Sequence, residues 1–105
     1  KLFDLKHDAG GMVDIEFAVQ ALVLEHARKF APLIENKGNI ALLKMAADAG
    51  LIPSELAETV RNAYRDYRRM QHGLRLNGTK ARVAPEDVGA RVAAVRELWQ
   101  VVFGV

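Results

Sequence analysis

Apolar residues recur along this chain at the three- and four-residue spacings of helices. The clearest run is Leu56, Val60, Ala63, Tyr67, Met70 and Leu74, a seam that predicts a long helix packed nearly antiparallel to a neighbour. Pro53 opens that helix where a missing N–H is harmless, Glu55 and Glu58 lie near its positive end, and Asn77-Gly78-Thr79 closes it. An earlier helix is predicted from about Val13 to Phe30. Its apolar set is Ile15, Ala18, Val19, Leu22 and His26, joined by Phe17, Leu24 and Ala27, a stripe broad enough to imply burial on more than one side. Pro32 breaks the pattern, and Asn36-Lys37-Gly38 supplies a turn before a short helix from about Asn39 to Ala49, which Gly50 terminates. Pro85, Glu86 and Asp87 mark a last start. Val88, Val92, Val95, Leu98, Trp99 and Val102 then carry a helix to Phe103, with Gly89 splitting off its first turn. No strand-like alternation is visible, so the expected fold class is all-α, a bundle of about four main helices in one domain over residues 1–105.

Composition adds limits. A chain of 105 residues, half of them hydrophobic, can bury a core without staples, and with no cysteine it has neither disulfides nor thiolate metal sites. The first eight residues mix charge with apolar side chains and form no secretory core. No run approaches the ~20 apolar residues of a membrane span, so a cytoplasmic protein without a membrane partner is expected. The missing initiator methionine suggests a piece of a longer protein. Charge is uneven: residues 61–82 hold seven basic side chains against the single acid Asp66, a net +6, so with +2 overall the remainder carries −4. That segment is a candidate surface for phosphates or an acidic partner.

Two constellations could carry chemistry. The first runs from Lys6 through Gly10-Gly11 to Asp14 and Glu16. The diglycine can adopt positive φ and let a backbone or a phosphate come close, and free N–H groups at the following helix start would favour an anion. The plainer reading is a glycine turn with Asp14 as N-cap. Asp14 and Glu16 stand about 200° apart around a helix, so they cannot share a metal unless Asp14 lies in the turn. The second constellation is Arg61, Arg65, Arg68, His72 and Arg75, one residue beyond the buried seam, which places it beside the core at a candidate partner or junction surface. A solvated basic face is the plainer alternative. His7, His26 and His72 have no metal-ligand spacing, and no nucleophile elbow or Walker loop is present.

Phe3-Asp4-Leu5-Lys6, then Gly10-Gly11, then Asp14-Ile15-Glu16-Phe17 with Gln20 resembles the start of the helical domain in glutamine synthetase adenylyltransferases. The resemblance continues through Gly50-Leu51-Ile52-Pro53, Ala63-Tyr64, Arg68 with His72 and Leu74, and Trp99, covering nearly the whole chain. It implies a nucleotidyltransferase-associated helical domain in a bifunctional parent, in which one half attaches AMP to glutamine synthetase and the other removes it. Val13-Asp14 and the late Trp99 look more like the adenylylating half. By the same resemblance, Lys6, Gly10, Gly11, Asp14 and Glu16 would face the cleft shared with a nucleotidyltransferase domain of the same chain, where ATP and Mg2+ sit. Arg68 and His72 match an Arg-x-x-x-His pattern of the family. The family's metal-binding Gly-Ser with spaced aspartates is absent, so no catalytic residue, metal or cofactor is expected on this piece alone. Gln71 stands where an acid is frequent, and Gly73 falls inside the third helix. Glutamine synthetase is the implied partner, with the PII signalling protein a further candidate. Rival readings are the helical domain of a PII uridylyltransferase-like enzyme, a self-standing interaction module, and a basic nucleic-acid-binding bundle. Against the last, there is no second basic helix and no exposed aromatic interleaving, so no nucleic-acid partner is expected.

Overall fold

The computed structural model describes residues 1–26, 38–78 and 80–104. Among these residues four helices form: α1 (Met12–Glu25), α2 (Asn39–Asp48), α3 (Ser54–Leu76) and α4 (Gly89–Phe103), the last preceded by a 3-10 turn at Pro85–Asp87. The predicted extension of α1 through Ala27 to Phe30, the break at Pro32, and Asn36, Lys37 and Thr79 lie outside the described residues.

The long helix α3 organises the rest. It packs against α2 on one side and α4 on another, and α1 lies against α4, α2 and α3. Its seam is buried as the spacing predicts: Leu56, Val60, Ala63 and Tyr67 are in the core, and Met70 and Leu74 pack against it partly buried. Tyr64 is buried too. Pro53 is the N-cap rather than the first helical residue, and its carbonyl accepts the Ala57 N–H at 3.0 Å. At the end of α2, Gly50 takes φ +77°, and Gly50 and Leu51 donate to the carbonyls of Ala47 and Ala46. This is the double bond pattern that ends a helix on a left-handed glycine.

Two expectations change. A short antiparallel ladder is present, β1 (Phe3–Asp4) pairing with β2 (Arg82–Val83), Phe3 opposite Val83 and Asp4 opposite Arg82. Two-residue strands are too short to leave a period in the sequence. The ladder nevertheless buries Phe3 and the following Leu5, with the Phe3 ring 6.4 Å from that of Tyr67. Second, α1 is buried along one side: Ile15, Ala18, Val19 and Leu22 face the core, while Phe17 and Leu24 are 58% and 79% exposed. No helix among the described residues is long and apolar enough to cross a membrane.

Candidate functional site

The turn before α1 is tied internally. Asp4 Oδ1 accepts the N–H groups of Lys6 and His7 at 2.9 and 3.0 Å, and Asp8 Oδ2 accepts that of Asp4 at 2.9 Å. These backbone donors hold the Asp4 carboxyl below its ordinary pKa, the His7 N–H contributing most, against the opposing effect of burial. At the helix start, Met12 N–H donates to Leu5 O at 2.9 Å and Val13 N–H to Lys6 O at 3.0 Å. The first two donors that would greet an anion are therefore spent on the preceding loop.

The diglycine is packed rather than open. Gly10 has φ +90°, and a Cβ there would come within 2.6 Å of Val92 Cγ1 on α4. A Cβ on Gly11 would meet Leu5 O at 2.7 Å. Gly10 O accepts the buried Tyr67 hydroxyl at 2.9 Å, fastening the turn to α3. Asp14 is not the N-cap, which is Gly11. It sits in the first turn, and its Oδ2 reaches back past the N-cap to accept the Gly10 N–H at 2.8 Å, while the Gly11 N–H goes to Asp8 O at 2.8 Å.

Glu16 points toward α3. Its Oε2 accepts the Tyr64 hydroxyl at 2.8 Å, and that oxygen in turn accepts Asn39 Nδ2–H at 3.2 Å, joining α1, α3 and α2. Burial, reinforced by the bond to Glu16, raises the Tyr64 pKa. The five residues of the first constellation thus do not share one opening: Gly10 and Gly11 are buried, Glu16 is bonded between helices, and Lys6 and Asp14 line different depressions. Asp14 shares its depression with Arg96 and Trp99.

Most of the second constellation does come together. Arg65, Arg68, His72 and Arg75 line a shallow open depression of about 500 Å³ on α3, with Met12 from the start of α1. Arg69 and Gln71 belong to it as well, and the spacing could have added Arg69, which is four residues from Arg65 and three from His72. Arg61 does not belong. Its side chain is 17% exposed, donates to Ile40 O at 3.0 Å and pairs with Glu58 at 2.8 Å, pinning α2 to α3. Arg68 stacks over the Tyr64 ring at 5.9 Å, and Arg65 donates to Asn62 Oδ1 at 2.7 Å.

A second depression of about 350 Å³ adjoins the first, sharing Gln71 and Arg75, and adds Lys6, His7, Lys80 and Arg82 with the single acid Asp4. Helical periodicity could not have found this extension, because the β1–β2 ladder brings Lys6 and Arg82 beside the end of α3. The other group missed by sequence reading is Asp66, which pairs with Arg91 at 2.9 Å and Arg69 at 3.3 Å and locks α3 to α4. Among the described residues, no three His, Asp or Glu side chains are grouped to hold a metal ion.

The family model described as GlnD PII-uridylyltransferase matches residues 2–100. The chain is also similar to proteins named bifunctional glutamine synthetase adenylyltransferase/adenylyl-removing enzyme. That of Burkholderia pseudomallei is 60% identical over 103 residues, that of Aromatoleum aromaticum 55% over 102, and that of Neisseria meningitidis serogroup B 46% over 101. Each alignment covers 96–97% of this chain but 11% of the relative, so the chain corresponds to a small segment of those enzymes. No solved structure matches it significantly. With a family model spanning all but its extreme ends and its helical fold in place, the chain belongs to the GlnD PII-uridylyltransferase family and, within that likeness, matches a helical segment of the glutamine synthetase adenylyltransferases.

Proposed function

We propose that this chain is the helical domain of the adenylylating half of a glutamine synthetase adenylyltransferase, serving a parent that transfers AMP from ATP to a tyrosine hydroxyl of glutamine synthetase. The observation that carries the reading is 46–60% identity, over nearly the whole chain, to enzymes bearing that name. In this role the domain packs beside a nucleotidyltransferase domain elsewhere in the parent, in the cytoplasm, and presents the face of Arg65, Arg68, His72 and Arg75 at a junction or to a protein partner. The diglycine turn acts indirectly, by holding α1 against α3 and α4.

In this reading ATP and Mg2+ are held by residues of the parent outside this chain, which agrees with Asp14 and Glu16 each committing an oxygen to a donor within the domain.

The test uses the chain and its parent side by side with ATP, Mg2+ and glutamine synthetase. The parent should place AMP on glutamine synthetase, the chain alone should not, and Arg68→Ala in the parent should slow transfer or alter its regulation. Modification by the chain alone would overturn the accessory role. The match to the uridylyltransferase model favours one alternative, a parent that acts on PII with UTP. A parent that modifies PII and leaves glutamine synthetase untouched would establish it.

A further inference from the structure

The two adjoining depressions make one continuous basic face, and its charge is largely uncompensated. Arg69 is paired with Asp66 and His7 lies 3.6 Å from Asp4, but among the described residues Arg68, His72, Arg75, Lys6, Lys80 and Arg82 stand in no ion pair. Asp4 is the one acid lining either depression, and keeping the surrounding arginines and lysines together destabilises the isolated fold through mutual repulsion, which a bound anion relieves. Guanidinium groups dominate, and their planar forks suit carboxylates and phosphates alike.

The surroundings distinguish those ligands. A nucleotide needs a bed for its base, and the apolar lining consists of Met12 and Ala81, while the nearby Tyr64 and Tyr67 are buried with their rings in the core. Both depressions are shallow and open, unlike the concave sites that enclose small molecules. Along α3, Arg65, Arg68, His72 and Arg75 span ten residues, about 15 Å of helix, at successive rises of about 4.5–6 Å. Carboxylates three or four residues apart on a helix, or two apart on a strand, repeat at about 4.5–7 Å. A protein segment rich in Asp and Glu therefore matches the spacing, the flatness and the sign of this face.

We propose that the face formed by Arg65, Arg68, His72 and Arg75 of α3, continued by Lys6 from the turn after β1 and by Arg82 of β2, docks a carboxylate-rich segment of a protein partner. The proposal rests on the partner-facing role given to α3 above and adds the partner's chemistry and the second half of the surface. Arg75, shared by both depressions, sits at its centre.

The probe is a glutamate-rich peptide of about ten residues, titrated against the 105-residue chain at physiological salt, beside tripolyphosphate and single- and double-stranded oligonucleotides. The peptide should bind more tightly than any of these. Arg75→Glu should weaken it about tenfold, whereas Lys44→Glu, equal in charge change but on α2, should leave it within about twofold. Arg82→Glu, which leaves α3 untouched, should weaken it as well, and it serves if Arg75→Glu fails to give the native helical spectrum. A peptide with a central lysine should bind Arg75→Glu better than the all-glutamate peptide does. Tighter binding of tripolyphosphate or of an oligonucleotide overturns the proposal, as does an equal loss from Lys44→Glu, which would reveal attraction to net charge alone. If the peptide fails to bind while Arg68→Ala still slows the parent's transfer, this docking surface falls and the domain assignment stands.

Discussion

Removing one oxygen at Tyr67 tests how the turn before α1 is held. In Tyr67→Phe the ring stays, with its packing against Phe3 and its place in the α3 seam, and only the bond to Gly10 O is lost. No other donor bonds that carbonyl among the described residues, and Gly10 is buried. The variant therefore loses a hydrogen bond and leaves an acceptor stranded, for a combined cost of about 1.5–3 kcal/mol. For a domain of this size, 2 kcal/mol corresponds to a fall in Tm of roughly 8–16 °C. Thermal and urea unfolding followed by circular dichroism would read both. A second signature comes from pH. Burial raises the Tyr67 pKa from 10.0 to about 12, opposed by the nearby charge of Arg91. A phenol whose folded pKa is raised contributes stability that is complete below pH 10 and lost as pH climbs through 12, because the unfolded chain ionises first. Two pK units correspond to about 2.7 kcal/mol, so the gap between wild type and Tyr67→Phe should shrink by roughly that amount between pH 10 and 12. A variant within about 0.5 kcal/mol of wild type at pH 7, or a gap that stays constant through alkaline pH, would refute the buried-bond argument.

Other substitutions probe the same framework. Gly10→Ala should destabilise by more than about 2 kcal/mol, since φ +90° and the 2.6 Å approach to Val92 both oppose a methyl group, and Val92→Ala in the same chain should restore part of the loss in urea unfolding. Glu16→Ala should cost about 1–2 kcal/mol in the isolated chain by stranding the Tyr64 hydroxyl, and a transfer defect in the parent larger than that loss explains would give Glu16 a separate role in the reaction. Asp14→Ala should cost about 1 kcal/mol by releasing the Gly10 N–H, read as a lower urea midpoint. Phe17→Ser should change stability by less than about 0.5 kcal/mol, because the ring lies on the open side of α1, and a larger loss would place it against the core.

What the sequence made legible is what repeats. The α3 seam, the glycine that ends α2 and the split first turn of α4 each rest on local spacing or on one residue's backbone preference, and each is present. The stripe beside the seam was equally legible through Arg65, Arg68, His72 and Arg75. Arg61 departs from it because the start of α2, far away in sequence, offers Ile40 O to its guanidinium. Periodicity places a side chain on a face but cannot say what lies opposite. Phe17 and Leu24 show the same limit: both fall within the broad apolar stripe of the sequence, yet the neighbours of α1 cover one side of it. The β1–β2 ladder was invisible for a different reason, since two residues per strand carry no period and their pairing joins opposite ends of the chain.

The diglycine shows how the same residues can mean two things until their partners are known. Positive φ followed by a helix start describes both an anion-binding loop and a turn folded back upon itself, and the choice depends on whether the helix N–H groups remain free. Here Leu5 and Lys6 carbonyls take the first two, and Tyr67 takes the Gly10 carbonyl. Asp14 then brings a negative charge to the position an anion would occupy. The attraction for anions consequently passes from the start of α1 to the basic face at the end of α3. The turn contributes to that face by the path of its chain: the loop that satisfies α1 also carries Lys6 out to the surface, and β1 pairs with β2 to bring Arg82 beside it. Loosening the turn should therefore weaken anion binding as well as the fold. Fastening the turn and gathering the charges are two consequences of one arrangement.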